Sequence, residues 1–366
     1  MKSIEHRLTN ANGRPSGFDY LRIILALSVV ALHIAPVNYG PALTAELFDG
    51  WRRPLLAFVL PMFFALSGFL VAGSLQRSKT LIYFAAMRVI RIMPALWVEV
   101  ILCALILGPI FTGADLSTYF SDEKFRHYFL NLVGDMHYVL PGVFENNPTA
   151  NLVNGQLWTV PWELECYIAL MALALFRIHS NRILFLIAVV AINVAAFFMN
   201  FQLGRDGWVS VHGYVLVLAF LAGVALYYVR DKLPADCRLF CAAVVLMYIL
   251  LWFPGCDALV AFPAAYATVY LGTLNPPKLK FLESGDYSYG IYLYAYPIQQ
   301  AIAYFPGLRS WWLSTLITIP VTGAIAYVSW HYIEKHCLRL RIFATAAETK
   351  LLAIRSSIFK SISRSA

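Results

Sequence analysis

Arginine and histidine are costly in an apolar run unless something there needs them, and the stretch Phe18–Pro36, FDYLRIILALSVVALHIAP, carries both. Arg22 lies near one end and His33 near the other, eleven residues apart. On a helix that spacing separates them by roughly 16 Å along the axis and returns them to within about 20° of one face. An ionisable residue inside a membrane span faces the protein interior or a wet cavity. Two on one stripe describe a polar track from one membrane surface towards the opposite leaflet. The alternative is that Arg22 snorkels to its own surface while His33 donates a hydrogen bond inside the bundle.

Other residues could join that track. Arg88 and Arg91, in MRVIRIMP, stand three apart on one helix face, a spacing that suits a phosphorylated ligand such as a nucleotide or coenzyme A, and equally suits lipid head groups. Glu163, in QLWTVPWELECY, falls at a depth comparable to His33. A carboxylate and an imidazole at one depth make a couple in which the carboxylate orients the ring and the ring takes a proton from a hydroxyl; a plain structural pair is the alternative. Ser67, in MFFALSGFLVAGS, offers a hydroxyl to the track, and Gly68, Gly73 and Ser74 offer small surfaces for close helix packing. Trp158, at the head of the Glu163 segment, and Tyr292, in the tyrosine-rich DYSYGIYLYAYPIQQ, are the candidates for seating a sugar ring. Tyr287 and Tyr289, at the start of that run, read as interface anchors, and Glu99 as a packing or network residue.

These residues need elements to hold them, and composition says which. Of 366 residues 60% are hydrophobic and only 13% charged, so most of the surface meets lipid. Ten apolar segments recur between 19 and 333, the seventh and eighth short. The expected fold is an all-α, polytopic integral membrane bundle of about ten transmembrane helices. The first run lacks a small-residue cleavage pattern and is expected to stay as an anchor. Counting Lys and Arg by side gives 22 on the side of the N-terminus against six, Arg52, Arg53, Lys124, Arg126, Arg205 and Arg309, which predicts both termini in the cytoplasm.

The organisation expected is a cytoplasmic segment 1–17, a membrane domain 18–333 and a basic amphipathic tail 334–366 lying on the anionic leaflet. The one long connection, Phe111–Gln156, would lie outside, as a functional element or a disordered spacer. The net charge of +8 is scattered over loops and ends with no basic face, which argues against nucleic acid. Six cysteines without a CxxC argue against a metal or disulfide framework. A homo-oligomer is left open.

The assembled motifs resemble the membrane-bound acyltransferase 3 family, bacterial O-acyltransferases of polysaccharides, lipopolysaccharide and related glycans. The resemblance covers nearly the whole chain. It rests on Asp19-Tyr-Leu-Arg22 followed by His33, on Phe63–Leu70 (FFALSGFL), on Arg88-Val-Ile-Arg91, and on Leu157–Tyr167. Ser288–Pro297 and Ser329–His336 complete the series. Two positions depart from the pattern, Ala295 in place of a histidine and His336 in place of a proline.

The resemblance implies transfer of an acyl group, acetyl first, from acetyl-coenzyme A to a sugar hydroxyl of an exported or lipid-linked glycan, in the bacterial inner membrane. Arg88 and Arg91, with Arg22 and Ser67, would hold the donor. His33 would act as general base or transient acyl carrier, paired with Glu163, and no metal is implied. A transporter built on the same polar track, or a non-catalytic export accessory, is the alternative, although the halves show no internal repeat.

Overall fold

The computed structural model describes residues 2–176, 181–203, 211–253, 255–350 and 352–353. Among these the regular elements are helical, and extended pairing is confined to two isolated bridges, Ser3 with Pro234 and Thr112 with Val143. Ten helices build the body: α1 (Gly17–Tyr39), α2 (Val59–Arg77), α3 (Leu81–Leu102), α4 (Val160–Leu175), α5 (Arg182–Leu203), α6 (Gly213–Tyr228), α7 (Cys237–Trp252), α8 (Ala261–Gly272), α9 (Ser288–Ala303) and α10 (Trp311–Ser329).

Five helical stretches among the described residues are long and apolar enough to cross a membrane: Gly17–Tyr39, Gly50–Arg77, Leu81–Phe111, Arg182–Met199 and Trp311–Lys350. The chain is thus an all-α, multi-pass membrane bundle. α4, α6, α7 and α9 have 16 residues each and α8 has 12. These fall short of the about 20 that an upright crossing takes. Part of the shortfall is local, since 3₁₀ turns at Gly155–Thr159 and Asp257–Val260 lead into α4 and α8.

The centre of the bundle is α6, apolar and buried on nearly every face, as a core helix must be. It lies close along α2 because glycines sit at the crossing. A Cβ on Gly68 would collide with the carbonyl of Phe220, and one on Gly223 with the carbonyl of Ala65. Backbone cannot step aside as a side chain can. Gly68→Val is therefore expected to destabilise the fold by about 1–3 kcal/mol or more, as overpacking does, read as a lower thermal unfolding midpoint of the detergent-purified protein. Val71→Ala, a cavity on the same helix, separates overpacking from general sensitivity.

α1, α9 and α10 form the adjoining layer, sealed by Ala26, Val30, Ile291, Ala295 and Ala326. α1 and α9 run in the same direction. Arg22 meets Asp286 where both begin, and the His33 ring meets the Tyr296 ring further along, 5.2 Å between centroids.

The long connection is an ordered cap, so the spacer alternative falls. It folds as short helices Leu116–Ser121, Glu123–Tyr128 and Phe129–Val133, with Tyr119, Tyr128 and Phe144 buried beneath it. Its far end is tied to α1 and α9. Thr149 Oγ1 donates to the Pro36 carbonyl (2.6 Å) and Asn147 Nδ2 to the Gln300 carbonyl (2.9 Å).

The tail, expected as a basic helix, is helical in the part that is described and is also docked on the bundle. Trp311–Lys350 is one helical stretch with a π turn at Trp330–Glu334. Glu348, near its end, accepts from Thr80 N (2.8 Å) and Thr80 Oγ1 (3.0 Å), docking the tail on the start of α3. A carboxylate is attracted to a helix N-terminus, which a purely compositional reading of a basic tail overlooks. Residues 354–366 lie outside the described residues.

Candidate active site

One cavity of about 370 Å³ runs through the bundle between α1, α2, α3, α4 and α9. Leu60 and Arg77 both line it, and they stand near opposite ends of α2. Their spacing along that helix is about 25 Å, so the cavity is long and narrow. Its inner end carries guanidinium groups from Arg22, Arg77, Arg88 and Arg91. Val29, Phe63 and Met87 are among its apolar walls, and Thr159, Glu163 and Tyr292 supply hydroxyls and a carboxylate. Glu163 is bonded to Tyr167, whose ring Arg88 rests against, so this carboxylate stands towards the arginines.

The inner end is built by α1, α3 and α9 converging on one aspartate. Asp286 Oδ2 takes Arg22 Nη1 at 3.0 Å and Arg91 Nη2 at 2.7 Å. Arg91 turns its other nitrogen to Glu334 Oε2 at 2.9 Å. The fork of a guanidinium lets one residue hold two carboxylates from different helices. Ser288 completes the arrangement, its Oγ donating to Asp286 Oδ1 at 2.6 Å.

Burial by itself would push the Asp286 carboxyl up, but Arg91 and then Arg22 prevail and hold it at about 2. A depressed carboxylate stabilises the fold fully above its unfolded pKa of about 4 and loses that contribution only as pH falls through the folded value. Asp286 thus stays charged across neutral and mildly acidic pH. Asp286→Asn is expected to lower the thermal midpoint by the same amount at about pH 5 and about pH 8. A penalty that shrinks at the lower pH would show that the carboxyl titrates in that range.

Glu163 lies one turn before Tyr167 on α4 and accepts from the Tyr167 hydroxyl at 2.5 Å. Tyr167 also hydrogen-bonds Ser67, so the Ser67 side chain belongs to this wall. Tyr292 is fixed by Thr159 Oγ1 (2.8 Å) and by donation to the Gln156 carbonyl (2.6 Å). Arg22, Ser67, Arg88, Arg91, Glu163 and Tyr292 are thus gathered around one space.

Two expected site residues stand apart from it. Trp158 packs on the main apolar core and does not line the cavity; within the tight turn Gly155–Thr159 it is Thr159 that faces inward. His33 lies one turn beyond Val29, the lining residue on its own face of α1, and packs edge-on against Tyr296. No hydrogen bond or ion pair joins His33 to Glu163 among the described residues, so the expected couple is not formed. The physical reason is packing: α4 lies against α3 and α6, whereas α1 lies against α2, α8, α9 and α10.

Comparison with known proteins adds what geometry cannot. The family model described as an acyltransferase domain matches residues 16–331, most of the chain. The chain belongs to this acyltransferase family. It is 25% identical to an O-acetyl transferase of Shigella phage Sf6 over 344 residues, covering 88% of this chain and 95% of that one. It is 29% identical to nodulation protein 10 of Rhizobium leguminosarum bv. viciae over 378 residues, covering 95% and 98%. No solved structure matches. Family membership decides for an acyltransferase over the transporter and accessory alternatives.

The acyltransferase cavity also uses residues that the sequence reading left aside. Asp286 sits two residues ahead of the Ser288–Pro297 motif, and Glu334 is the carboxylate inside the Ser329–His336 motif, where Ser329 Oγ donates to Glu334 Oε1 at 3.2 Å. Those motif positions were the available signal. Tyr289, read as an interface anchor, lines the cavity instead, donating to the Ile92 carbonyl at 2.9 Å and stacking on Tyr292. Its place one turn before Tyr292 could have shown this, given three tyrosines spaced three and four apart. Arg77 carried no signal beyond its charge.

Proposed function

We propose that this acyltransferase moves an acyl group, acetyl in the first instance, from acyl-coenzyme A to a sugar hydroxyl of an exported or lipid-linked glycan. The observation that carries the reading is the shape and polarity of the cavity. It is lined over about 25 Å of α2, carries guanidiniums at one end and apolar side chains interspersed with hydroxyls along its walls, and its lining on α1 stops a turn short of His33. A phosphorylated donor with a long apolar-lined arm fits those features. The guanidiniums take its phosphates and the arm reaches outward, bringing the thioester towards the layer of Tyr292, Tyr296 and His33.

In that layer His33 takes the proton of the attacking hydroxyl. The hydroxyl oxygen bonds to the thioester carbonyl carbon, the carbon–sulfur bond breaks, and the proton passes on to the departing thiolate. Glu163, a carboxylate on the wall of the same cavity, would assist from a distance by favouring positive charge there. The ordered outer connection, tied down at Thr149 beside Pro36, would seat the acceptor, with Trp158 on its inner side.

The same reading takes the ten helices as about ten spans in a bacterial inner membrane, with both termini and the arginine end of the cavity in the cytoplasm. It places the glycan on the other side, so that the donor arm makes the crossing. Metal has no role in this scheme.

The experiment is transfer of radiolabelled acetyl from acetyl-coenzyme A by detergent-purified protein to a lipid or glycan extract, with donor hydrolysis followed in parallel. Label in an alkali-labile ester is the expected product. Folded protein that neither consumes nor binds acetyl-coenzyme A would remove the donor assignment.

A further inference from the structure

Four arginines line the inner end of the cavity, but they are not equivalent. Arg22 and Arg91 are neutralised by Asp286 and Glu334, two cations against two anions, with Arg91 saturated by both. Arg77 and Arg88 form no ion pair among the described residues. Arg88 donates to Ser74 Oγ at 3.2 Å and rests against the rings of Phe84 and Tyr167, while its buried Nε finds no hydrogen-bond partner. Arg77 folds back along α2, its Nη1 lying 3.3 Å from where a Cβ on Gly73 would stand, next to Ser74. Glu163 acts on Arg88 through space, past the Tyr167 ring, without touching it. The guanidiniums of this end that no carboxylate contacts among the described residues are these two, and Ser74 lines the same cavity.

We infer that Arg77, Ser74 and Arg88 form the phosphate-ester site of this cavity, and that Arg22 and Arg91 serve to hold α1, α3 and α9 together around it. This deepens the donor reading and rests on it. Arg91, already holding two carboxylates, offers no free fork to a ligand, and Arg22 is committed to Asp286, whereas Arg88, with an unpaired N–H in a buried position, gains a charge-assisted bond when an anion arrives. The ligand class is a phosphate monoester or diphosphate. A soluble coenzyme and a phospholipid head group both carry that chemistry, and the test separates them.

The full-length protein in detergent is titrated with coenzyme A and with pantetheine, which shares the arm but has no phosphate. Retention of phosphatidylglycerol against phosphatidylcholine is measured in parallel. Wild type is expected to prefer coenzyme A by tenfold or more, and Arg77→Gln and Arg88→Gln each to lose about tenfold in coenzyme A affinity. Pantetheine affinity should not change in those variants, and the ligand-free unfolding midpoint of Arg77→Gln should stay that of wild type, because no carboxylate contacts Arg77 among the described residues. Arg77→Lys should keep part of the preference, and Arg22→Gln should lower the midpoint while keeping the preference.

Three results would overturn the assignment: an Arg77→Gln protein that binds coenzyme A as wild type does, a preference lost in Arg22→Gln instead, or equal binding of coenzyme A and pantetheine by wild type. The last leaves the donor reading standing without a phosphate site. Wild type that ignores coenzyme A but retains phosphatidylglycerol, with retention lost in Arg77→Gln, keeps the phosphate site and removes the donor reading. Wild type that takes up neither phosphate ligand removes both.

Discussion

Arg91→Ala is expected to destabilise the protein by about 3–5 kcal/mol, the cost of breaking a buried ion pair from one side. The substitution strands Glu334 and leaves Asp286 half-stranded, held by Arg22 alone. Glu334 is 2% exposed and Asp286 22%, so neither can recover full hydration where it stands. The side chain of Arg91 is itself a quarter exposed, which places the effect towards the lower end of that range. Lysine is not expected to rescue it, because an ammonium on a flexible stem does not reproduce a planar fork reaching two partners on different helices. Pairing the substitution with Glu334→Gln removes one of the stranded charges. The double variant is then expected to be more stable than Arg91→Ala alone, a non-additivity that a thermal unfolding series in detergent reads directly. Additive losses would mean that the two residues do not share a network.

His33→Ala is expected to lower the acyl-transfer rate by about 10²–10⁴-fold, the contribution typical of a positioned general base. Donor affinity and thermal midpoint should change little. Among the described residues His33 makes no hydrogen bond to lose, and its contact with Tyr296 is an edge-to-face ring packing worth about 0.5–1.5 kcal/mol. That combination separates chemistry from holding, since loss of kcat at constant KM reports a group used in the transition state. Glu163→Gln keeps shape and the tyrosine bond while removing charge. If Glu163 acts through His33, the double variant is no slower than His33→Ala alone; independent multiplication of the two losses would give Glu163 a role of its own.

Much of this was legible in the chain. Long apolar runs with few charges admit only helices in a membrane, so the all-α multi-pass class followed from composition. The ordered series of motifs carried the family. Helical spacing placed Arg22 and His33 on one face of α1; Arg22 does line the cavity, and the lining of that helix stops at Val29, one turn short of His33. Periodicity works within a helix because 3.6 residues per turn fixes relative direction whatever surrounds it.

It says nothing about which helix lies beside which. Asp286 and Glu334 gain meaning only when α9 and the end of α10 are brought against Arg91, from positions 195 and 243 residues away in sequence. The same limit produced the expected His33–Glu163 couple: matching depth is readable from the chain, but adjacency is decided by the packing of α1 on α9 and of α4 on α3 and α6. Likewise four arginines are identical as letters. Only the folded arrangement gives Arg91 two contacting carboxylates, Arg22 one, and Arg77 and Arg88 none among the described residues, because ion pairing depends on distances of a few ångströms that sequence separation does not encode.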